Sequence, residues 1–175
     1  LDVQASLDGE ALVFHDYELD RLTPERGRVA ARTASELARI PLRSTAETIP
    51  TLAEILRLVG GRAPLLIEAK SPDRDIGPLC RSIADALEGY EGPMAVMSFN
   101  PEVGQWFALH APDVLRGLVV TEEKKRGFRG GLERRFALWR ARPHLLAYDI
   151  RDLPSRFAAR ARRRSVPVLS SSGRS

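Results

Sequence analysis

The sequence has few of the residues that mark several common classes of protein. Cys80 is the only cysteine among 175 residues, which excludes an intrachain disulfide and a thiolate metal cluster. No apolar run approaches the roughly 18 residues that a membrane-spanning helix needs, so we predict no stable membrane insertion. The small size and the lack of disulfides favour a cytoplasmic location.

Lysine is also scarce, because only three of the 27 basic residues are lysines and the rest are arginines. The net charge is +4, and the basic residues concentrate in 124–142 and 156–164. The second cluster lies on a predicted Ala-rich helix, where a solvated charged face is the ordinary explanation. Since no nucleic-acid-binding motif or interleaving of aromatic residues accompanies the charge, we predict no nucleic-acid partner.

The chain has the size and composition of one globular domain. It has 43% hydrophobic and 29% charged residues, which is typical of soluble proteins. We place the domain at residues 1–169 and interpret residues 170–175, SSSGRS, as a tail or linker. Because the chain begins at Leu1 inside a strand-like run and not with Met, we expect an upstream piece in the native protein.

Short apolar strands alternate with helices along most of the chain. Such alternation is typical of a parallel α/β sheet, and seven strands come close to the eight of a closed barrel, so we predict an incomplete eight-stranded barrel. Polar residues follow several strands, at the end where such barrels place their active sites. The predicted strands are Leu1–Ala5, Ala11–His15, Pro64–Lys70, Ala95–Phe99, Leu115–Thr121, Leu145–Asp149 and Val166–Leu169.

The predicted helices have recognisable starts. Thr51 precedes a run in which Glu54 follows three residues later, the pattern of a capping box, and Thr33 starts a shorter helix. In residues 122–142, Leu132, Phe136 and Trp139 form a short apolar stripe. We expect this stripe to pack on the sheet; a membrane-surface or lid role is the alternative.

Charged groups stand at the ends of two strand regions. Asp8-Gly9 joins the first two predicted strands, so that Asp2 and His15 fall in neighbouring strands. Further on, Glu68 and Lys70 share one face of an apolar strand. A carboxylate buried in a parallel sheet needs a partner or a metal, and the residues alone leave a structural ion pair open as the alternative.

The motifs LDVQASLDG, LVFHDYELDRLT, IPTLAEIL, LIEAK and MSFN, followed by a closing PVL strand, occur here in order. In this order and spacing the chain resembles the glycerophosphodiester phosphodiesterase family over almost its whole length. The resemblance implies a TIM (β/α)8 barrel, incomplete here with its first strand and last helix missing. It also implies metal-dependent hydrolysis of a glycerophosphodiester to glycerol 3-phosphate and an alcohol.

The resemblance also implies roles for particular residues. Asp2 and Glu68 correspond to ligands of a divalent cation, Mg²⁺ or Ca²⁺, which both prefer oxygen ligands. His15 corresponds to one of two catalytic histidines, and imidazole exchanges protons near neutral pH. Lys70 corresponds to a phosphate-binding residue. From the residues themselves, we expect Asp16 and Asp20 to brace the loop and Arg21 to pair with one of them.

The chain departs from the family pattern at both ends. It has no His-Arg-Gly strand, which supplies the second histidine and an arginine, and no glutamate before the Leu-Asp pair. We therefore expect residues 1–175 alone to be inactive. We also expect them either to be poorly stable or to form oligomers through open barrel edges. The alternative function is a non-catalytic barrel remnant that binds a phosphate-containing ligand or a partner chain.

Overall fold

A computed structural model describes residues 1–71, 75–122 and 127–171. The chain forms two compact units, Leu1–Met94 and Ala95–Ser175. Of the tail predicted at 170–175, residues 172–175 lie outside the described residues, as do Lys124 and Lys125 of the basic cluster. Among the helices in the described ranges, none is both long and apolar enough to cross a membrane.

In its described ranges, 1–71 and 75–94, the first unit contains three complete strands and three α-helices. Strand β1 lies between its two partners, antiparallel to β2 and parallel to β3. The parallel register sets Asp2 opposite Glu68 and Val3 opposite Ala69. The elements are β1 (Asp2–Ala5), β2 (Ala11–Val13), a 3₁₀ turn (Val29–Ala31), α1 (Ala34–Leu37), α2 (Leu52–Val59), β3 (Leu65–Ala69) and α3 (Gly77–Leu87).

Strand β2 differs from the prediction in direction and in length. We expected Ala11–His15 to belong to a parallel sheet, but β2 is antiparallel to β1. The five residues between the two strands can only reverse the chain, because a parallel crossover needs about a dozen residues or more. β2 also ends at Val13, so His15 lies in the loop that follows it.

Both predicted hydroxyl caps of the first unit are confirmed. Thr33 and Thr51 each accept a hydrogen bond from the amide three residues later and form a full capping box. The start of α2 is also tied to β2, since the Val13 amide donates to the Pro50 carbonyl at 2.9 Å. The helix that follows Thr51 therefore covers the outer edge of the strand that precedes His15.

The loop after His15 packs on an apolar cluster of its own. Leu12 and Phe14 contribute the strand side of the cluster, and Leu19 of the loop is fully buried in it. The remaining buried members are Val29, Leu37, Ile40 and Ile49. The polar loop predicted at this position thus has a fixed base, which holds the residues next to His15.

The second unit repeats strand and helix in regular alternation. β5 pairs in parallel with β4 and with β6, and β6 pairs in parallel with β7. Strand β7 extends to Ser171, two residues beyond the predicted strand. The elements are β4 (Met94–Ser98), α4 (Pro101–His110), β5 (Leu115–Val120), α5 (Phe128–Ala141), β6 (Leu145–Asp149), a 3₁₀ turn (Ile150–Asp152), α6 (Arg156–Arg163) and β7 (Val168–Ser171).

Helix α5 packs on the core with a different face from the one predicted. Ala137, Leu138 and Ala141 belong to the core cluster of this unit, whereas the stripe of Leu132, Phe136 and Trp139 is exposed. The reason is the close crossing with α4, where a Cβ on Gly104 would lie 2.8 Å from the Ala141 Cβ. Only small side chains fit this interface, so the large apolar ones point away from it.

Candidate active site

Two carboxylates and an ammonium group come together where β1 and β3 pair. Asp2 lies opposite Glu68, and Lys70 follows β3. The Lys70 Nζ is 3.4 Å from Asp2 Oδ1 and 3.6 Å from Glu68 Oε1. The Lys70 amide donates to the Val3 carbonyl at 2.8 Å, which fixes the backbone from which this side chain extends. Three of the four predicted site residues therefore share one cluster.

The charges in this cluster do not balance. The Glu68 side chain is only 17% exposed, and its pKa is raised by burial and further by the Asp2 charge, while Lys70 and His15 act in the opposite direction. One ammonium group faces two carboxylates, which leaves room for more positive charge. A purely structural pair would need only one carboxylate for Lys70.

His15 is held by a carboxylate and an arginine. Its Nδ1 is 2.7 Å from Asp16 Oδ1, and Arg21 donates to both Asp16 oxygens, from Nε at 2.6 Å and from Nη2 at 2.8 Å. The Arg21 bonds and the His15 contact lower the pKa of Asp16 to about 2, so Asp16 is ionised and can only accept. The proton of the neutral imidazole is therefore on Nδ1, and Nε2 keeps its lone pair.

The predicted pairing of Arg21 with Asp16 or Asp20 is confirmed for Asp16. Asp20 instead accepts a hydrogen bond from the Gly27 amide at 3.0 Å and braces the loop, as expected. Asp16 does more than brace the loop, because it fixes the His15 tautomer. Its direct contact with the imidazole makes it part of the candidate site, a role that was not predicted from the sequence.

Gln4 is a second residue whose role was not predicted from the sequence. Its side chain is buried, with 4% exposure, and its Nε2 donates to the Phe14 carbonyl at 2.9 Å and to the Asp16 carbonyl at 2.6 Å. These two carbonyls flank His15 in the chain. Gln4 thus fixes the backbone on both sides of the histidine. The alternation of side chains along β1 places Gln4 on the same side as Asp2, and this was the sequence feature that could have indicated its role.

Asp2 and His15 line the same cavity, which has a volume of about 450 Å³. The His15 side chain is 40% exposed and accessible to a solute that enters there. Lys70 lines a separate cavity of about 60 Å³ together with Gln4, Tyr17 and Arg28. The other residues around the larger cavity are Leu1, Val13, Phe14, Leu22, Leu42, Arg43 and Thr45.

The other two histidines and Asn100 have structural partners. Asn100 caps α4 by accepting from the Glu102 amide at 3.0 Å. His110 Nδ1 contacts the Trp106 carbonyl at 2.9 Å, and His144 Nδ1 accepts from the Arg116 amide at 3.1 Å. Within residues 1–71, 75–122 and 127–171, no group of three or more His, Cys, Asp or Glu side chains is arranged to hold a metal.

Comparison with characterised proteins gives two partial sequence matches. The chain is 33% identical over 87 residues to a glycerophosphodiester phosphodiesterase of Bacillus subtilis, covering 42% of this chain and 30% of that protein. It is 37% identical over 109 residues to the enzyme of the same name from Caldanaerobacter subterraneus, covering 57% and 45%. The matched segment thus spans less than half the length of either relative.

Solved structures match over nearly the whole chain. A phosphodiesterase of Oleispira antarctica, solved in complex with sn-glycerol-3-phosphate, superposes with a TM-score of 0.82 at 22% identity, covering 99% of this chain and 72% of that one. A glycerophosphodiester phosphodiesterase of Thermotoga maritima gives a TM-score of 0.72 at 21% identity, covering 100% and 72%. These likenesses confirm the predicted incomplete (β/α)8 barrel.

A comparison with protein-family models identifies the family of this chain. The family model for the glycerophosphoryl diester phosphodiesterase family matches residues 1–161, which include β1 with Asp2, the loop with His15, and β3 with Glu68 and Lys70. The match therefore covers the candidate site, the first unit and most of the second unit, but not β7. The chain belongs to the glycerophosphoryl diester phosphodiesterase family.

Proposed function

We propose that this chain carries part of the active site of a metal-dependent phosphodiesterase, which hydrolyses glycerophosphodiesters to glycerol 3-phosphate and an alcohol. The observation that carries the proposal is the pairing of Asp2 with Glu68 across β1 and β3, with Lys70 between them and His15 on the same cavity as Asp2. Family membership supports the reaction class. The product bound to the O. antarctica phosphodiesterase supports the substrate class.

Asp2 and Glu68 fit a hard divalent cation. They offer carboxylate oxygens, the ligands that Mg²⁺ and Ca²⁺ prefer. Burial and the neighbouring Asp2 charge raise the pKa of Glu68, and a bound cation would oppose both effects. Water and substrate oxygens would complete the coordination. When bound, the cation would neutralise the phosphoryl oxygens and polarise the phosphorus centre. Lys70, within reach of both carboxylates, would add positive charge toward the same phosphate.

His15 would move the proton of the reaction. With Nδ1 bonded to ionised Asp16, Nε2 is the atom that can take a proton from the attacking nucleophile or give one to the departing alcohol oxygen. Arg21 and Gln4 hold this arrangement from the carboxylate side and from the backbone side.

The first prediction concerns catalysis by the whole protein that contains these residues. With glycerophosphocholine and Mg²⁺ or Ca²⁺, the unaltered protein should release glycerol 3-phosphate, and His15→Ala should lower kcat by about 10²- to 10⁴-fold. The matched control is His110→Ala, because His110 is exposed on α4 and should leave kcat unchanged. Equal losses in both variants would contradict a catalytic role for His15.

Residues 1–175 alone should show little turnover under the same conditions, since the second histidine, the arginine and the additional glutamate of the family pattern are absent from this sequence. Turnover by this chain that falls on His15→Ala would contradict the need for those groups. Binding of glycerol 3-phosphate without turnover in the whole protein would instead support the non-catalytic alternative.

We also propose a cytoplasmic location for the protein.

A further inference from the structure

Helix α5 is apolar on two opposite sides. One side packs into the core of the second unit through Ala137, Leu138 and Ala141. The opposite side carries Leu132, Phe136 and Trp139, which we call the outer stripe and which are 49%, 58% and 65% exposed. The spacing of four and three residues places them on one helix face. The rings of Phe136 and Trp139 are 5.7 Å apart, so the stripe is a continuous apolar surface.

Arginines border the outer stripe on both sides. Arg129 and Arg135 are exposed and, by helical periodicity, lie on opposite flanks of Leu132. Residues 127–171 contain eleven arginines against three acidic residues. This excess is far above that of the whole chain, whose net charge is +4. The apolar stripe therefore lies in the most positive part of the described sequence.

A groove between α5 and α6 extends this surface. It has a volume of about 750 Å³ and runs from Leu132 past Leu138 and Phe157. Six arginines line it, Arg134, Arg135, Arg151, Arg156, Arg160 and Arg164, against two carboxylates, Glu122 and Asp152. Apolar side chains and a surplus of guanidinium groups thus occur together in the groove as they do along the outer stripe.

We propose that the outer stripe and this groove dock on the interface of an anionic phospholipid bilayer. An apolar helix face with aromatic residues, flanked by basic residues, is the arrangement of helices that lie in the plane of a membrane surface. The aromatic rings and Leu132 would enter the headgroup region, and the arginines would contact lipid phosphates. Such docking crosses no bilayer and does not depend on the proposed catalytic function.

Charge distinguishes the bilayer from the other occupants of such a surface. A second copy of the chain, placed stripe against stripe, would bring two arginine-rich surfaces together at a cost in repulsion. A nucleic acid would contact the arginines and could stack on the rings of Phe136 and Trp139, but it supplies no apolar layer for Leu132. An anionic bilayer supplies both an apolar layer and negative charge.

The test is flotation of the full chain with vesicles of phosphatidylcholine alone or of phosphatidylcholine mixed with phosphatidylglycerol. Binding should require phosphatidylglycerol and weaken as salt is raised. In a Trp106→Phe background, the emission of Trp139 should shift to shorter wavelength on the anionic vesicles only. Equal binding to both vesicle types, or an unshifted Trp139 emission, would overturn the proposal.

Variants test the apolar contribution and the charge contribution to vesicle binding separately. Phe136→Ser combined with Trp139→Ser should weaken partitioning by about tenfold or more, and Arg135→Gln and Arg160→Gln should each weaken it about fivefold. The matched controls are Leu109→Ser, at a leucine 67% exposed on α4, and Arg39→Gln, at an exposed arginine after α1; both should bind as the parent chain does.

Two further outcomes would overturn the bilayer as occupant. One is a sedimentation profile in which Trp139→Ser converts a dimer into a monomer, because a second copy would then cover the stripe. The other is binding of a single-stranded oligonucleotide that depends on Arg160 while vesicle binding is absent. The substituted residues other than Trp106 are exposed, and Trp106→Phe keeps an aromatic ring at a half-buried position. Unchanged circular dichroism and thermal unfolding are therefore expected for every variant relative to its own background, which keeps a loss of binding interpretable.

Discussion

At the scale of single residues, Glu68 is held in a position that lowers stability. Its pKa is raised mainly by burial, so the folded state holds its proton more tightly than the unfolded state does. Stability due to this group is therefore present below the ordinary glutamate pKa and falls as pH rises through the raised one. At neutral pH the ionised Glu68 weakens the fold, which is typical of a group retained for binding.

The second prediction follows from the direction in which the ionised Glu68 changes stability. Glu68→Gln removes the buried charge and keeps the shape, so the free energy of unfolding at pH 7 without metal should increase. The same variant should lose the stabilisation that Mg²⁺ or Ca²⁺ gives the parent chain, measured as a shift of Tm. The control is Glu88→Gln, at an exposed glutamate after α3, which should change neither quantity. A less stable Glu68→Gln variant would identify the cluster as a structural ion pair.

Asp16 acts on stability in the opposite direction. Its pKa falls from 3.8 to about 2 through Arg21 first and His15 next, so its contribution is complete above about pH 4 and is lost as pH falls toward 2. The third prediction is that Asp16→Asn costs about 1 kcal/mol at pH 7, an amount reduced by the solvent exposure of Arg21. Urea unfolding of both chains at several pH values should show the difference shrinking below pH 4.

The control is Asp113→Asn, at an exposed aspartate after α4. This surface substitution should change the free energy of unfolding at pH 7 by less than Asp16→Asn does. If the destabilisation by Asp16→Asn stays constant over the pH range, the Arg21 contact does not lower the pKa of Asp16 in solution, and the assignment of the His15 proton to Nδ1 loses its basis.

At the scale of elements, the crossing of α4 and α5 depends on Gly104. A Cβ there would lie 2.8 Å from both the Ala141 Cβ and the Ala141 carbonyl oxygen. The fourth prediction is that Gly104→Ala lowers the free energy of unfolding by about 1–3 kcal/mol, because the helices must move apart. Gly131→Ala is the matched control, since a Cβ at Gly131 meets nothing within 4 Å.

Gly131→Ala should raise stability by about 0.5–1 kcal/mol, because it replaces a glycine inside a helix without a clash. Denaturant unfolding measures both variants. Similar changes for the two glycines would contradict the close crossing, and with it the explanation for why α5 turns its large apolar residues outward.

The sequence predicts elements better where local signals decide them. Thr51 and Glu54 mark the start of α2 through a capping box, which needs only residues three positions apart. The outer stripe of α5 was assigned to the wrong side, because the core face is chosen by Gly104 on another helix, far away in sequence. β2 was assigned the wrong direction because the alternation of strands and helices outweighed the short Asp8-Gly9 turn.

In the candidate site, too, local sequence patterns predict some residues, whereas others depend on contacts between distant parts of the chain. Asp2, His15, Glu68 and Lys70 were predicted from ordered motifs, and the register of β1 with β3 brings Asp2 and Glu68 together. The partners that hold His15 could not be predicted with equal ease. Gln4 reaches it only because β2 folds back beside β1, and the choice of Asp16 over Asp20 depends on where Arg21 lies after the loop closes.

At the scale of the whole molecule, we expect association through one strand edge, that of β7. The edge of β2 away from β1 is covered, since the Val13 amide donates to Pro50 and the Ala11 amide donates to Ser82 Oγ at 2.8 Å. Among the described residues, β7 has β6 as its single strand partner. An uncovered edge offers hydrogen-bonding groups to another chain.

The fifth prediction is that residues 1–175 associate through β7, with a sedimentation coefficient that rises with concentration. Ser170→Lys should suppress the association, because a lysine on an edge strand opposes pairing with a second copy. Ala159→Lys, which adds the same charge on an exposed position of α6, should leave it in place. A compact monomer at all concentrations would contradict an open edge at β7. Equal suppression by both lysines would mean that charge repulsion, and not strand pairing, controls the assembly.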